Sequence, residues 1–130
     1  MSIRTAVYAA TTALVAILIG SGGLAYVLRV PDVVQGVVAL GFPIHFVVLL
    51  GAWKVLGAIA IVLPRLPLVK EWAYFGIVLD LTGAAYTSVA TGAAWWHAAA
   101  PLAIALLAAV SWALRPDSRR LRGAALTLAA

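Results

Sequence analysis

A chain of 130 residues that is 65% hydrophobic and only 10% charged cannot cover its own surface with polar groups. Soluble domains carry roughly a quarter charged residues, and a short chain hides too little of its apolar surface by folding alone. The composition therefore excludes a water-soluble globule and points to one domain with the lipid bilayer as its solvent. The absence of cysteine excludes disulfides, thiol redox chemistry and cysteine-ligated metals. The net charge of +5 sits at segment ends and in the tail, so it reads as membrane orientation and not as nucleic-acid binding.

A membrane-crossing helix needs about 20 apolar residues. The first such segment runs over about 6–28, too long past Gly20, Gly22 and Gly23 for a signal-peptide core. Those glycines suit a bend or a close helix contact. Arg29, Pro31 and Asp32 interrupt it. The stretch from Val33 to Leu40 is too short to cross, but Val33, Val34, Val37 and Val38 recur at helical spacing opposite Asp32 and Gln35. It predicts a short non-spanning helix, ended by Gly41 and Pro43. The second span covers about 44–63 and stops at Pro64-Arg65-Leu66-Pro67. The third runs over about 72–91, up to Gly92, and the fourth over about 95–114 with Pro101 in its first half. The expected architecture is all-α, an integral membrane four-helix bundle over 1–114. A basic tail over 115–130 follows, in which Ala124 to Leu128 could add a helical turn.

Four crossings put both termini and the middle loop on one side. That side holds Arg4, Arg65, Lys70, Arg115, Arg119, Arg120 and Arg122, against Arg29 alone opposite. The imbalance predicts cytoplasmic N- and C-termini in a multi-pass protein. Trp72 and Trp112 then fall near the inner boundary, and Trp95 and Trp96 near the outer one.

Two charges lie inside the spans. From Lys54 to Pro67 is 13 positions, and from Pro67 to Asp80 is 13 positions. Equal arms of an antiparallel hairpin place Lys54 and Asp80 at the same depth, near the bilayer centre. An isolated charge there costs at least ~2.5–3.5 kcal/mol, so a Lys54–Asp80 contact is expected. Gly51 and Gly57 beside Lys54, and Gly76 and Gly83 beside Asp80, are read as structural small residues that let the two helices approach. Such a pair either fixes helix register or carries proton-transfer or binding chemistry, which makes Lys54 and Asp80 the candidate catalytic residues.

Glu71 reads as a helix-opening carboxylate beside Lys70. His45 and His97 begin the second and fourth spans as interfacial histidines, and nothing in their spacing calls for a metal. Tyr86, Thr87 and Ser88 line the outer half of the third span and could hydrogen-bond across the bundle. With His45 they could edge a pocket above the midplane pair, whose aromatic walls would be Trp53, Tyr74 and Tyr86.

The strings Phe42-Pro43, Leu50-Gly51-Ala52-Trp53-Lys54-Val55-Leu56-Gly57-Ala58, Leu63-Pro64-Arg65-Leu66-Pro67 and Lys70-Glu71-Trp72-Ala73-Tyr74, followed by Gly83-Ala84 and Gly92, occur in this order. Here the chain resembles the DoxX-like family of small four-helix membrane proteins. One departure is that Thr87-Ser88 is followed by Val89, where the family often has a histidine. The resemblance implies a bacterial cytoplasmic-membrane bundle. It further implies a membrane subunit or assembly partner of a redox-linked complex, docking a soluble redox enzyme. The residues themselves leave a second reading open: a bundle that binds or transforms a lipophilic molecule such as a quinone through Lys54 and Asp80. A transporter ranks behind both, since four helices without an inverted repeat would need to oligomerise. A homo-oligomer is compatible with the small-residue faces.

Overall fold

A computed structural model describes residues 2–120, and the expected turn at 124–128, with Arg122, lies outside them. The described residues form five α-helices and no strand: α1 (Ile3–Val27), α2 (Pro31–Ala39), α3 (Ile44–Val62), α4 (Pro67–Ala90) and α5 (Trp96–Ala113), then a 3₁₀ turn at Asp117–Arg119.

Local chemistry sets these boundaries. The Ser2 hydroxyl accepts from the Thr5 N–H at 3.2 Å and caps α1. After Leu28, Arg29 turns left-handed (φ 54°), and Pro31 starts α2 where its missing N–H costs nothing. Pro64 forces Leu63 into extended backbone and ends α3. Arg65 and Leu66 then reverse the chain in left-handed conformations (φ 63° and 53°), each costing roughly 1–2 kcal/mol. Pro67 opens α4 at its first position. The third long helix therefore begins at Pro67 and not near Trp72. Lys70 and Glu71 lie inside it, because a proline at that position is pre-organised for helix.

The four long helices pack in a closed ring. α1 lies between α3 and α5, α4 lies between the same two on the far side, and α2 rests against α3 and α1. Val15 and Ile19 of α1, Ile61 of α3, Tyr74, Ile77 and Leu81 of α4, and Ala105 and Ala108 of α5 fill the centre. Many of the largest side chains point outward instead, Ile17, Phe75, Val89 and Leu106 among them. In water such a surface would be an aggregation hazard. Against acyl chains it is neutral, and helix association there comes from close packing and interhelical hydrogen bonds. α1, α3 and α5 are each long and apolar enough to cross a membrane. α4 is as long, but it carries Lys70, Glu71 and Asp80 and several hydroxyls. The protein is a membrane protein in contact with lipid.

Candidate functional site

The turn between α3 and α4 leaves Lys54 and Asp80 facing each other on adjacent helices. The Lys54 Nζ lies 3.5 Å from Asp80 Oδ2, and the side chains are 15% and 14% exposed. α1 completes the surroundings. The Lys54 ammonium sits 4.5 Å from the centre of the Tyr26 ring, a cation–π contact. On Gly22 even a Cβ would lie 3.9 Å from the Nζ, so a larger side chain there would crowd the ammonium.

Beside the pair runs a groove of about 320 Å³. Leu50, Trp53 and Leu56 of α3 form one wall, Trp72 and Gly76 of α4 the other, and Ile19 of α1 the floor. Lys54 and Asp80 are the charged groups in this apolar lining. Trp53, Leu56 and Trp72 are 62%, 57% and 71% exposed, so the groove opens sideways on the flank of the ring. An ammonium donor and a carboxylate acceptor in an apolar slot can hold the polar head of a molecule whose remainder is hydrocarbon or aromatic. The apolar lining lowers the local dielectric and strengthens each such contact.

The structure separates the other residues singled out from the sequence. Trp53 lines the groove, but Tyr74 does not. Tyr74 is 2% exposed and hydrogen-bonded at 2.6 Å to Ser111, toward the α3–α4 turn end. Tyr86 is 75% exposed and is not part of the groove lining. His45 and His97 are both exposed and outside the groove. Among the described residues, no group of three or more His, Cys, Asp or Glu could hold a metal. Thr87 and Ser88 do not bond across the ring; their hydroxyls donate to Gly83 and Ala84 one turn back in α4.

The glycines divide differently from the sequence reading. Gly57 does face α4, since a Cβ on it would meet Ile77 at 3.7 Å. Gly51 packs instead against α1. A Cβ there would lie 2.6 Å from the Gly23 carbonyl oxygen and from the Tyr26 Cβ. Gly83 and Gly76 meet no neighbour within 4 Å, so neither brings helices together. Position 51 shares a face with Lys54, but that face is wide enough to touch both α1 and α4.

Glu71 is also reassigned. It is the fifth residue of α4, past the first turn, and its partner is not Lys70. Its carboxylate accepts from Arg115 at 2.6 Å and from the Trp112 indole N–H at 2.9 Å, which ties α4 to the end of α5. Lys70 itself is fully buried. Its ammonium donates to the Ala60 and Ile61 carbonyls at 2.7 and 3.0 Å, closing backbone acceptors that the end of α3 leaves open. Burial first, then the positive charges of Arg119 and Arg115, hold the Lys70 ammonium down at about 8.

At the same end, a polar cluster escapes sequence reasoning. Ser111 of α5 bonds Thr12 of α1 at 2.6 Å as well as Tyr74 of α4, and Arg119 donates to the Tyr8 hydroxyl at 2.7 Å. The available signal was weak: Thr12 and Ser111 are polar residues inside otherwise apolar segments, where hydroxyls usually back-bond to their own helix.

The family model described as the DoxX-like family matches residues 10–111. No curated protein and no solved structure matches the chain.

Proposed function

The chain belongs to the DoxX-like family, and from that premise we propose that it is a four-span membrane protein which binds a lipophilic molecule bearing a polar head, such as a quinone, at Lys54 and Asp80. In this reading α4 also crosses, as the third of four spans, over about 72–91, with its two charges nearest the turn, Lys70 and Glu71, outside the span. The basic residues at the α3–α4 turn end, Arg4, Arg65, Arg115, Arg119 and Arg120, put both termini on the cytoplasmic side of a bacterial inner membrane. Residues 1–114 are then the membrane domain and 115–130 its cytoplasmic tail.

One observation carries the ligand reading: an open, apolar groove reaches the charged pair. A pair serving only to fix register needs no such access. Lys54 would donate to a carbonyl or hydroxyl of the ligand. Asp80 would accept from it or take up a proton, while Trp53 and Trp72 would flank the ring. A short-chain quinone added to the purified chain should quench tryptophan fluorescence saturably, since Trp53 and Trp72 border the groove. The double variant Lys54→Met with Asp80→Leu should abolish the saturable part. Unchanged quenching in that variant would end the ligand reading.

A second reading, membrane subunit or assembly partner of a redox-linked complex, draws on family membership and on the basic character of the turn end, which suits an acidic soluble partner. Cross-linking in native membranes, followed by affinity purification, should then recover a specific soluble redox protein. Loss of that protein on deleting 121–130 would support the reading. Recovery of no specific partner would sink it.

A further inference from the structure

A second cavity lies at the α3–α4 turn end, away from Lys54 and Asp80. It has a volume of about 420 Å³ and is bordered by Thr5, Tyr8 and Thr12 of α1, Val62 at the end of α3, and Ser118 and Arg119 beyond α5. Its chemistry is unlike that of the first groove. Four hydroxyl-bearing residues and Arg119 border it, beside the apolar Ala9, Ala13, Val62 and Pro116.

The Arg119 side chain is held in place. One Nη donates to the Tyr8 hydroxyl at 2.7 Å, and its charge lies 5.5 Å from the Tyr8 ring centre. A guanidinium has five N–H donors, so a fork anchored by one of them keeps others to offer. The described carboxylates at this end are Glu71, which is taken by Arg115, and Asp117, two residues before Arg119; they stand against Arg4, Arg65, Lys70, Arg115, Arg119 and Arg120. The Arg119 partner is a neutral phenol. Lys70 and Arg115 lie close by, both buried. The end therefore carries more positive charge than its described carboxylates compensate.

A fixed guanidinium, flanking hydroxyl donors and a positive local field match a phosphate group. A sugar or an amine would gain nothing from the cations. Thr5 and Thr12 already pair with Ser2 and Ser111, but the Tyr8 and Ser118 hydroxyls keep a proton to donate, and a phosphate has oxygens for both of these beyond the two that a carboxylate would spend on the fork. The cavity also lies at the level of the ring's end, where Arg4 and Arg120 are found, and basic pockets between helices at that depth suit anionic lipid headgroups.

We propose that the cavity between α1 and the Pro116–Arg119 segment is a phosphate site, filled by the headgroup of an acidic phospholipid. Arg119 grips the phosphate, and the hydroxyls of Tyr8 and Ser118 add hydrogen bonds to it. The bound lipid then ties the start of α1 to the segment that follows α5. The site works independently of any ligand beside Lys54.

The test uses the full chain in a neutral detergent. Thermal unfolding is followed while phosphatidylglycerol, phosphatidylcholine or inorganic phosphate is added. Phosphatidylglycerol should raise the midpoint saturably, and phosphatidylcholine should raise it much less. Arg119→Gln should weaken the apparent affinity for phosphatidylglycerol roughly five- to tenfold. Should that variant fold poorly, Thr5→Glu serves instead. It places a carboxylate at the mouth of the cavity in the first turn of α1, where an acidic residue favours the helix, and it should block the lipid while leaving the lipid-free midpoint intact. A matching, Arg119-dependent rise with inorganic phosphate alone would keep the site but assign it to a soluble phosphate. A rise that neither substitution reduces, or one of equal size with phosphatidylcholine, would overturn the proposal.

Discussion

Gly23 of α1 and Gly51 of α3 meet backbone to backbone. A Cβ on Gly23 would stand 2.7 Å from the Gly51 carbonyl oxygen, and one on Gly51 would stand 2.6 Å from that of Gly23. Because the obstacles are backbone atoms, no rotamer change can make room. Gly51→Ala and Gly23→Ala should therefore push α1 and α3 apart and destabilise the protein by about 1–3 kcal/mol. Gly83→Ala is the contrasting case. Its position meets nothing within 4 Å, so it should be neutral or stabilising by up to ~1 kcal/mol. Unfolding of the three variants in mixed micelles separates the two outcomes.

Lys54 and Asp80 should behave as a unit. Removing either leaves the other charge in the apolar groove without its partner, a loss of about 2.5–3.5 kcal/mol. Lys54→Met and Asp80→Leu should each be strongly destabilising, and the double variant should recover most of the deficit. A double-mutant cycle measures the coupling, and strictly additive losses would contradict the contact seen at 3.5 Å.

Glu71 holds the nearly buried Arg115 guanidinium and the Trp112 indole together. Glu71→Gln keeps the shape but removes the charge, so a buried cation loses its counter-ion. A cost of roughly 1.5–3 kcal/mol is expected. Were Glu71 only a helix cap, the loss would stay near 1 kcal/mol or below. Trp112 fluorescence should shift in the same variant, since its N–H loses an ionised acceptor.

Lys70 makes stability depend on pH in an unusual direction. Its folded-state value, about 8, lies below the ordinary 10.5. Between those limits the unfolded chain binds more protons than the folded one, so stability rises with pH. The cost of burying the ammonium is felt in full below pH 8 and fades toward 10.5, while the neutral amine still donates to the Ala60 and Ile61 carbonyls. Unfolding midpoints of the wild type should climb from pH 7.5 to 9.5 relative to Lys70→Met. Parallel curves would remove the effect from Lys70.

The meeting of Lys54 with Asp80 was legible in the sequence because it follows from counting residues either side of Pro67 in a tight hairpin. The breaks at Pro31, Pro43 and Pro64 were legible for a similar reason, since proline acts locally. The partner of Gly51 was not, because a helix in a ring has two neighbours and periodicity does not say which one a residue faces. Lys70 read as a loop charge because nothing local announces that a lysine will reach back to carbonyls 9 and 10 positions earlier. The bonds from Ser111 to Thr12 and Tyr74 join residues 99 and 37 positions apart. Only the packed ring brings them together.

The sideways mouth between Trp53 and Trp72 has a kinetic and a thermodynamic consequence. On the proposed ligand reading, a molecule dissolved among the acyl chains would reach Lys54 and Asp80 by two-dimensional diffusion, without entering water. The concentration that matters is then its mole fraction in the membrane, where an apolar compound is strongly enriched. Modest intrinsic affinity would then be enough to keep such a groove occupied, and exchange would be fast because no solvent shell has to be stripped at the entrance.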